Sequence, residues 1–185
     1  AYRGYLVSRI EGALAQHGLT TAIRPPHLSP PNSRRRATLK AMQVGANVLV
    51  GFNAEQSHRI IDMRECHVLR PELFDLVQPL RELLAGMLQQ KRIAEIQLTL
   101  IAGGVDVLIK GIPAGRLTEI ERLTSFAMDY GLTRLSLDRG LGPDTLYEPG
   151  PAAVVLSGGP VPYPHGCFLQ ATADGERALV EAVQE

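Results

Sequence analysis

The 185 residues encode an α+β domain: a mainly antiparallel β-sheet with flanking α-helices. Three observations predict it. Strand-like segments follow one another across short glycine and proline turns, which favours antiparallel pairing over a doubly wound parallel sheet. Two of them, AEIQLTLI and VDVLIKGI, flank Gly103-Gly104, a strong hairpin signal. Helical stripes at residues 71–88 and 116–130 separate the strand groups.

Along the chain, Tyr2, Leu6, Ile10 and Leu14 recur at helical spacing, and Gly18 supplies a stop. Residues 24–32, RPPHLSPPN, predict an extended linker, because each proline fixes φ and removes a donor. SRRRATLKAMQ and NVLVGFN predict two strands around a turn at Gly45, and HRIID a shorter third. Pro71 opens a helix with the stripe Leu73, Val77, Leu80, Leu84 and Met87; Pro79 is expected to kink or restart it. After the glycine hairpin, Leu117, Ile120, Leu123 and Ala127 are expected to face inward from a helix stopped at Gly131. LTRLSLD, TLYEP and AAVVLSG predict three short strands, and residues 173–184 a last helix. That amphipathic helix ends the chain uncovered, as expected of a segment excised from a longer protein.

Apolar residues make up 45% of the chain and charged ones 21%, a globular composition rather than a disordered one. No run approaches the roughly 18–20 apolar residues of a membrane span, and the opening residues do not suggest a signal peptide. The two cysteines, Cys66 and Cys167, lie far apart and outside any CxxC pair. This is not a secreted disulfide framework, and it fits a reducing, cytoplasmic location. The formal net charge is +0, yet residues 1–70 carry +6 and residues 71–185 carry −6. Such a dipolar chain suits one face meeting an anion.

The sequence lacks a GxGxxG loop, a P-loop and a serine elbow, so no catalytic residue is assigned. Arg34, Arg35 and Arg36 form the best charged feature. Alternation along a strand puts Arg34 and Arg36 on one face and Arg35 on the other. Such a pair can grip phosphates. The run also reads as a solvated strand end with one arginine in an ion pair. Cys66, alone, reads as a small buried hydrophobe or as one ligand of a larger set. In GCFLQ, Phe168 and Gln170 share a side of an extended segment. Either they stack on a ring and bond a polar edge, or Phe168 enters the core and Gln170 stays at the surface. Cys167 points the other way and has no role.

In this order and spacing, SRRRA, VGFNAEQSHRIIDMRECHVL, PELFDLVQPLRELL and CFLQATADGE run along almost the whole chain. Together they resemble the bacterial RNA uracil-5-methyltransferase family, its iron–sulfur ribosomal RNA branch in particular. The resemblance implies a three-part enzyme of which this chain is the central α+β part. By it, Cys66 matches the fourth ligand of a 4Fe–4S cluster whose other three cysteines lie upstream, so the fragment is not expected to hold the cluster. One or more of Arg34, Arg35 and Arg36 match the RNA contact. Phe168 matches a residue near the RNA, and Gln170 one that touches S-adenosylmethionine. The implied chemistry adds a cysteine thiolate to uracil C6, so that C5 takes the methyl group, and a carboxylate then removes the C5 proton. Both groups belong to the missing domain, and neither Cys66 nor Cys167 is the nucleophile.

The expected domain is residues 33–165, with 1–32 and 166–185 packing on the absent methyltransferase domain. The expected partner is RNA, ribosomal in the implied branch, with no membrane; the isolated fragment is expected to be inactive and to self-associate through its terminal helices. A rival reading is a non-catalytic α+β binding or scaffold domain for an acidic or nucleic-acid partner.

Overall fold

A computed structural model of the chain describes residues 2–156 and 158–184. Its first helix, α1 (Tyr2–Ala15), buries none of its residues. The proline-rich stretch after it is extended, without helix or strand. Strands β1 (Arg36–Val44) and β2 (Asn47–Asn53) form the expected hairpin, turning at Gly45 with φ of 60°. Strand β3 (Ile60–Asp62) adds to β2 at a place only glycine allows: a Cβ on Gly51 would lie 1.9 Å from the Ile61 carbonyl oxygen.

The Pro71 helix is two pieces, α2 (Pro71–Phe74) and α3 (Val77–Leu84). The break falls at Asp75 and Leu76, before Pro79, which therefore sits in the first turn of α3, where its missing N–H costs nothing. Leu73, Val77, Leu80 and Leu84 are buried as the stripe predicts. The glycine hairpin is β4 (Ile93–Ile101) and β5 (Gly104–Lys110), with Ala102 and Gly103 at the turn, because Gly104 already pairs with Ile101.

Helix α4 (Leu117–Asp129) carries the chain over to β6 (Arg134–Asp138), which pairs with β5 in parallel. Leucine 123, Phe126 and Ala127 face the core. Leu117 does not: as the first helical residue after the Arg116 cap it is 73% exposed. Strand β7 (Pro143–Tyr147) closes the sheet, whose order is β3-β2-β1-β4-β5-β6-β7. Beside it, β8 (Ala153–Leu156) and β9 (Gly159–Pro162) form a separate hairpin, and β9 has no counterpart in the sequence reading. Its prolines mask a strand signal. Helix α5 (Ala173–Gln184) has no buried residue. Ser157, within the expected AAVVLSG strand, and the terminal Ala1 and Glu185 lie outside the described residues. The architecture is α+β with a mainly antiparallel sheet.

One sheet face packs on α2, α3 and α4 through Leu39, Ile96, Leu98, Val107, Ile109, Leu135 and Leu137. A smaller cluster of Ile101, Ala152, Val154, Tyr163 and Leu169 holds the β8–β9 hairpin and the 163–169 segment. The opposite sheet face is polar, and strand register sorts it into rows. Arg36, Thr99, Asp106 and Arg134 are aligned; so are Thr38, Gln97, Leu108 and Ser136, and then Lys40, Glu95, Lys110 and Asp138. Among the described residues no helix is long and apolar enough to cross a membrane.

Candidate nucleic-acid interface

Three separated motifs meet just before β1. The Arg34 N–H donates to the Val68 carbonyl at 3.0 Å, and the Arg70 N–H donates to the Arg34 carbonyl at 2.9 Å. This pairs Arg34 in parallel with Leu69, on the loop that carries Cys66. On its other side Arg34 bridges Thr172, and the Arg35 N–H reaches the Ala171 carbonyl at 2.8 Å. The arginine run is thus the middle strand of a short three-segment ribbon, with Cys66 to one side and the 168–172 segment to the other.

The three arginines have different surroundings. Arg35 is held: its Nε donates to the Gln170 carbonyl at 3.1 Å, and its guanidinium pairs with Glu176 at 2.5 Å, both partly buried. Arg36 donates to the Leu169 carbonyl at 2.8 Å, and its guanidinium carbon lies 5.6 Å from the Phe168 ring centroid. Phe168 is 77% exposed, so Arg36 supports one side of a ring whose other side is open. Arg34 is exposed, and its Nε donates to the Arg36 carbonyl at 3.1 Å. Arg34, Arg36 and Phe168 thus lie close together, while the Arg35 guanidinium is held by Glu176 and the Gln170 carbonyl.

Alternation explains the next residues. Leu169 is buried and Cys167 is half-buried against the smaller core, leaving Phe168 and Gln170 on the other side of the extended segment. Gln170 lines a groove of about 600 Å³ between the linker and α5, with His27, Ser29 and Thr172. The linker is pinned there: His27 Nε2 lies 2.7 Å from Asp174, and Ser29 Oγ lies 2.8 Å from Thr172 Oγ1. The His27 hydrogen bond first, then those of Ser29 and Thr172, hold the Asp174 carboxyl down at about 2.

Cys66 is a free, half-buried cysteine whose Sγ accepts the Leu69 N–H at 3.3 Å. Among the described residues no group of three or more His, Cys, Asp or Glu side chains could hold a metal ion.

Sequence reasoning passed over the polar sheet face. There Arg134 forks onto Asp106 at 2.8 and 3.0 Å, with both side chains buried, and also donates to the Tyr163 carbonyl at 3.1 Å. His165 Nε2 lies 2.7 Å from the buried Ser136 hydroxyl. Burial foremost, and Arg134 next, push its pKa down. The signal was present as charges at Asp106 and Arg134 inside otherwise apolar strands, but only the register shows that they pair.

No protein-family model matches the chain. It is 38% identical over 185 residues to an uncharacterised RNA methyltransferase of Zymomonas mobilis, covering 100% of this chain and 47% of that protein. An uncharacterised RNA methyltransferase of Brucella suis is 34% identical over 184 residues, 98% of this chain and 43% of its own length. The 23S rRNA (uracil(1939)-C(5))-methyltransferase of Bordetella avium is 31% identical over 138 residues, 70% of this chain and 29% of its own. The fold matches the tRNA (uracil-54, C5)-methyltransferase of Pyrococcus abyssi, solved with S-adenosyl-L-homocysteine, at a TM-score of 0.67 and 14% identity. That match covers 98% of this chain and 48% of the solved one. The chain spans about half the length of the curated relatives it matches most fully. Over almost its whole length the chain is thus similar to about half of bacterial proteins named RNA methyltransferases, and over 70% of it to a 23S rRNA uracil-5 enzyme.

Proposed function

We propose that this chain is the RNA-contacting central part of an S-adenosylmethionine-dependent RNA uracil-5-methyltransferase acting on ribosomal RNA in the cytoplasm. The observation that carries the reading is the convergence of the arginine run, the Cys66 loop and the Phe168–Gln170 segment in one ribbon. Arg34 and Arg36 meet RNA phosphates, Arg35 braces the segment that presents Phe168, and Phe168 stacks on an unstacked base with Arg36 beneath it. Gln170 faces the methyl-donor site from the groove beside α5. S-adenosylmethionine supplies the methyl group when bound. Cys66 supplies one ligand to an iron–sulfur cluster completed by cysteines elsewhere in the parent protein. The nucleophile and the base also lie elsewhere, so this segment alone binds and positions without catalysing. The ribosomal substrate is favoured by the Bordetella relative's named activity.

The test is the salt dependence of RNA binding by the full-length protein. Arg34→Ala and Arg36→Ala should each lower affinity and reduce the log–log salt slope by about 1. Arg35→Ala should instead lower stability, because it strands Glu176 and unpins the Gln170 carbonyl. Unchanged slopes for Arg34→Ala and Arg36→Ala would remove both residues from the RNA contact.

A further inference from the structure

Beyond the arginine ribbon, the polar sheet face forms a cleft of about 210 Å³ that shares Arg36 with it. Thr38, Gln97 and Thr99 lie on the floor with Leu108. Tyr163, Gly166 and Cys167 form the wall, fixed to the sheet by the Arg134 bond to the Tyr163 carbonyl and the His165 contact with Ser136. Arg36 and Lys110 are its cations.

The charges around this cleft do not cancel evenly. Asp106 is taken up bidentately by Arg134. Glu95 is taken up by Lys40 at 2.7 Å and receives a hydrogen bond from Gln97, while Lys110 stands back at 3.8 Å. Among the described residues the Arg36 side chain contacts the Leu169 carbonyl and the Phe168 ring. Asp138, beside Lys110 in register, accepts the Gly140 and Gly142 N–H groups, so Lys110 has its carboxylate contact at 3.8 Å and Arg36 has none among the described residues. Between them lie hydroxyls, the Gln97 carbonyl oxygen and one leucine. That mixture suits a nucleotide: anionic at its phosphates, with polar edges on base and ribose for the amide and hydroxyls.

We infer that the cleft is a second RNA subsite, holding a nucleotide of the same strand that passes Phe168, with Lys110 on a phosphate and Thr38 and Gln97 on base or ribose edges. The inference rests on the RNA-binding reading above and extends it from the ribbon onto the sheet. Arg36, at the junction, serves both subsites.

The experiment uses the full-length protein and a labelled single-stranded oligouridine RNA. Lys110→Gln should weaken binding roughly three- to tenfold and lower the salt slope by about 1. Gln97→Glu, which puts a carboxylate on the floor, should weaken it at least as much. Lys91→Gln, an exposed cation in the turn before β4, sets the baseline. Inorganic polyphosphate as competitor should displace the RNA less well from the unaltered protein than from Gln97→Ala, where only charge recognition remains at the floor. Photocrosslinking of 4-thiouridine RNA to the unaltered protein should label peptides containing Lys110 or the 163–168 segment, which needs no variant to fold. If Lys110→Gln and Gln97→Glu match Lys91→Gln, or crosslinks avoid those peptides, the subsite is wrong. If Arg36→Ala still weakens binding in that case, the ribbon reading survives it; if the unaltered protein fails to bind RNA, both fall.

Discussion

At the scale of single residues, the polar sheet face depends most on one buried pair. Asp106 and Arg134 are 5% and 4% exposed, and their fork also ties the Tyr163 carbonyl to the sheet. Removing the cation leaves a carboxylate buried without a partner, so Arg134→Ala should destabilise the 185-residue chain by about 3–5 kcal/mol in urea denaturation. Replacing both residues by apolar ones, Asp106→Val with Arg134→Met, should cost far less, since no charge is then left unpaired. Equal losses in the single and double variants would show that packing at Arg134, and not the charge pair, sets the stability. The arginine run makes the same point about role. Three identical side chains in sequence end as a brace, a ring support and an exposed cation, because among the described residues Arg35 alone of the three finds a carboxylate within reach. Alternation in the sequence separated Arg35 from its neighbours; which side held Glu176 depended on a helix 141 positions away.

At the scale of elements, two junctions carry predictions. A methyl group on Gly51 meets the Ile61 carbonyl oxygen, and backbone on both sides leaves it nowhere to go. Gly51→Ala should therefore loosen β3 from β2 at a cost of about 1–3 kcal/mol, seen as faster amide exchange at Met63, whose N–H bonds to the Val50 carbonyl at 2.8 Å. Exchange there unchanged from the parent chain would place the β3 contact outside the stable sheet. The second junction is the linker on α5. The Asp174 pKa is depressed from 3.8 to about 2, so its stabilising effect is present above 3.8 and is lost as pH falls through about 2. Proteolysis of residues 24–32 should accelerate across that window and should already be fast at neutral pH in Asp174→Asn. A rate independent of pH there would disconnect Asp174 from linker docking. The hairpins and the α3 stripe were legible because glycine turns and apolar spacing are local. The parallel β5–β6 pairing was not, since it is set by where α4 packs, and Leu117 was misread because a first-turn residue has no helix beneath it. The ribbon's residues were legible as candidates, but the cleft was not: its floor is assembled by register among β1, β4 and β5.

At the scale of the whole molecule, the terminal helices leave apolar side chains uncovered. Tyr2, Tyr5 and Ile10 on α1, and Leu179, Val180 and Val183 on α5, are exposed, and neither helix buries a residue. With about half or more of each relative's length beyond the matched segment, the rest of the parent protein is the cover we propose for them. Amides of α1 should then exchange more slowly in the full-length protein than in the isolated segment. The isolated segment, with those stripes free, should self-associate, and a clean monomer by light scattering at high concentration would oppose that. The zero net charge of the chain divides the same way: its +6 part carries the arginine run and Cys66, so the cationic surface and the proposed cluster ligand lie together. Cys66 is where the cluster proposal is decided. Its sulfur already accepts the Leu69 N–H, and that loop is hydrogen-bonded to Arg34, so a cluster held there would fix the ribbon from one side. Full-length protein purified without oxygen should absorb broadly near ~400 nm, and Cys66→Ser should lose that band together with RNA affinity, as the ribbon loosens. Loss of colour with unchanged affinity would separate the cluster from RNA positioning. Colour retained in Cys66→Ser would take Cys66 out of the ligand set altogether, leaving it the half-buried core neighbour that its packing alone describes.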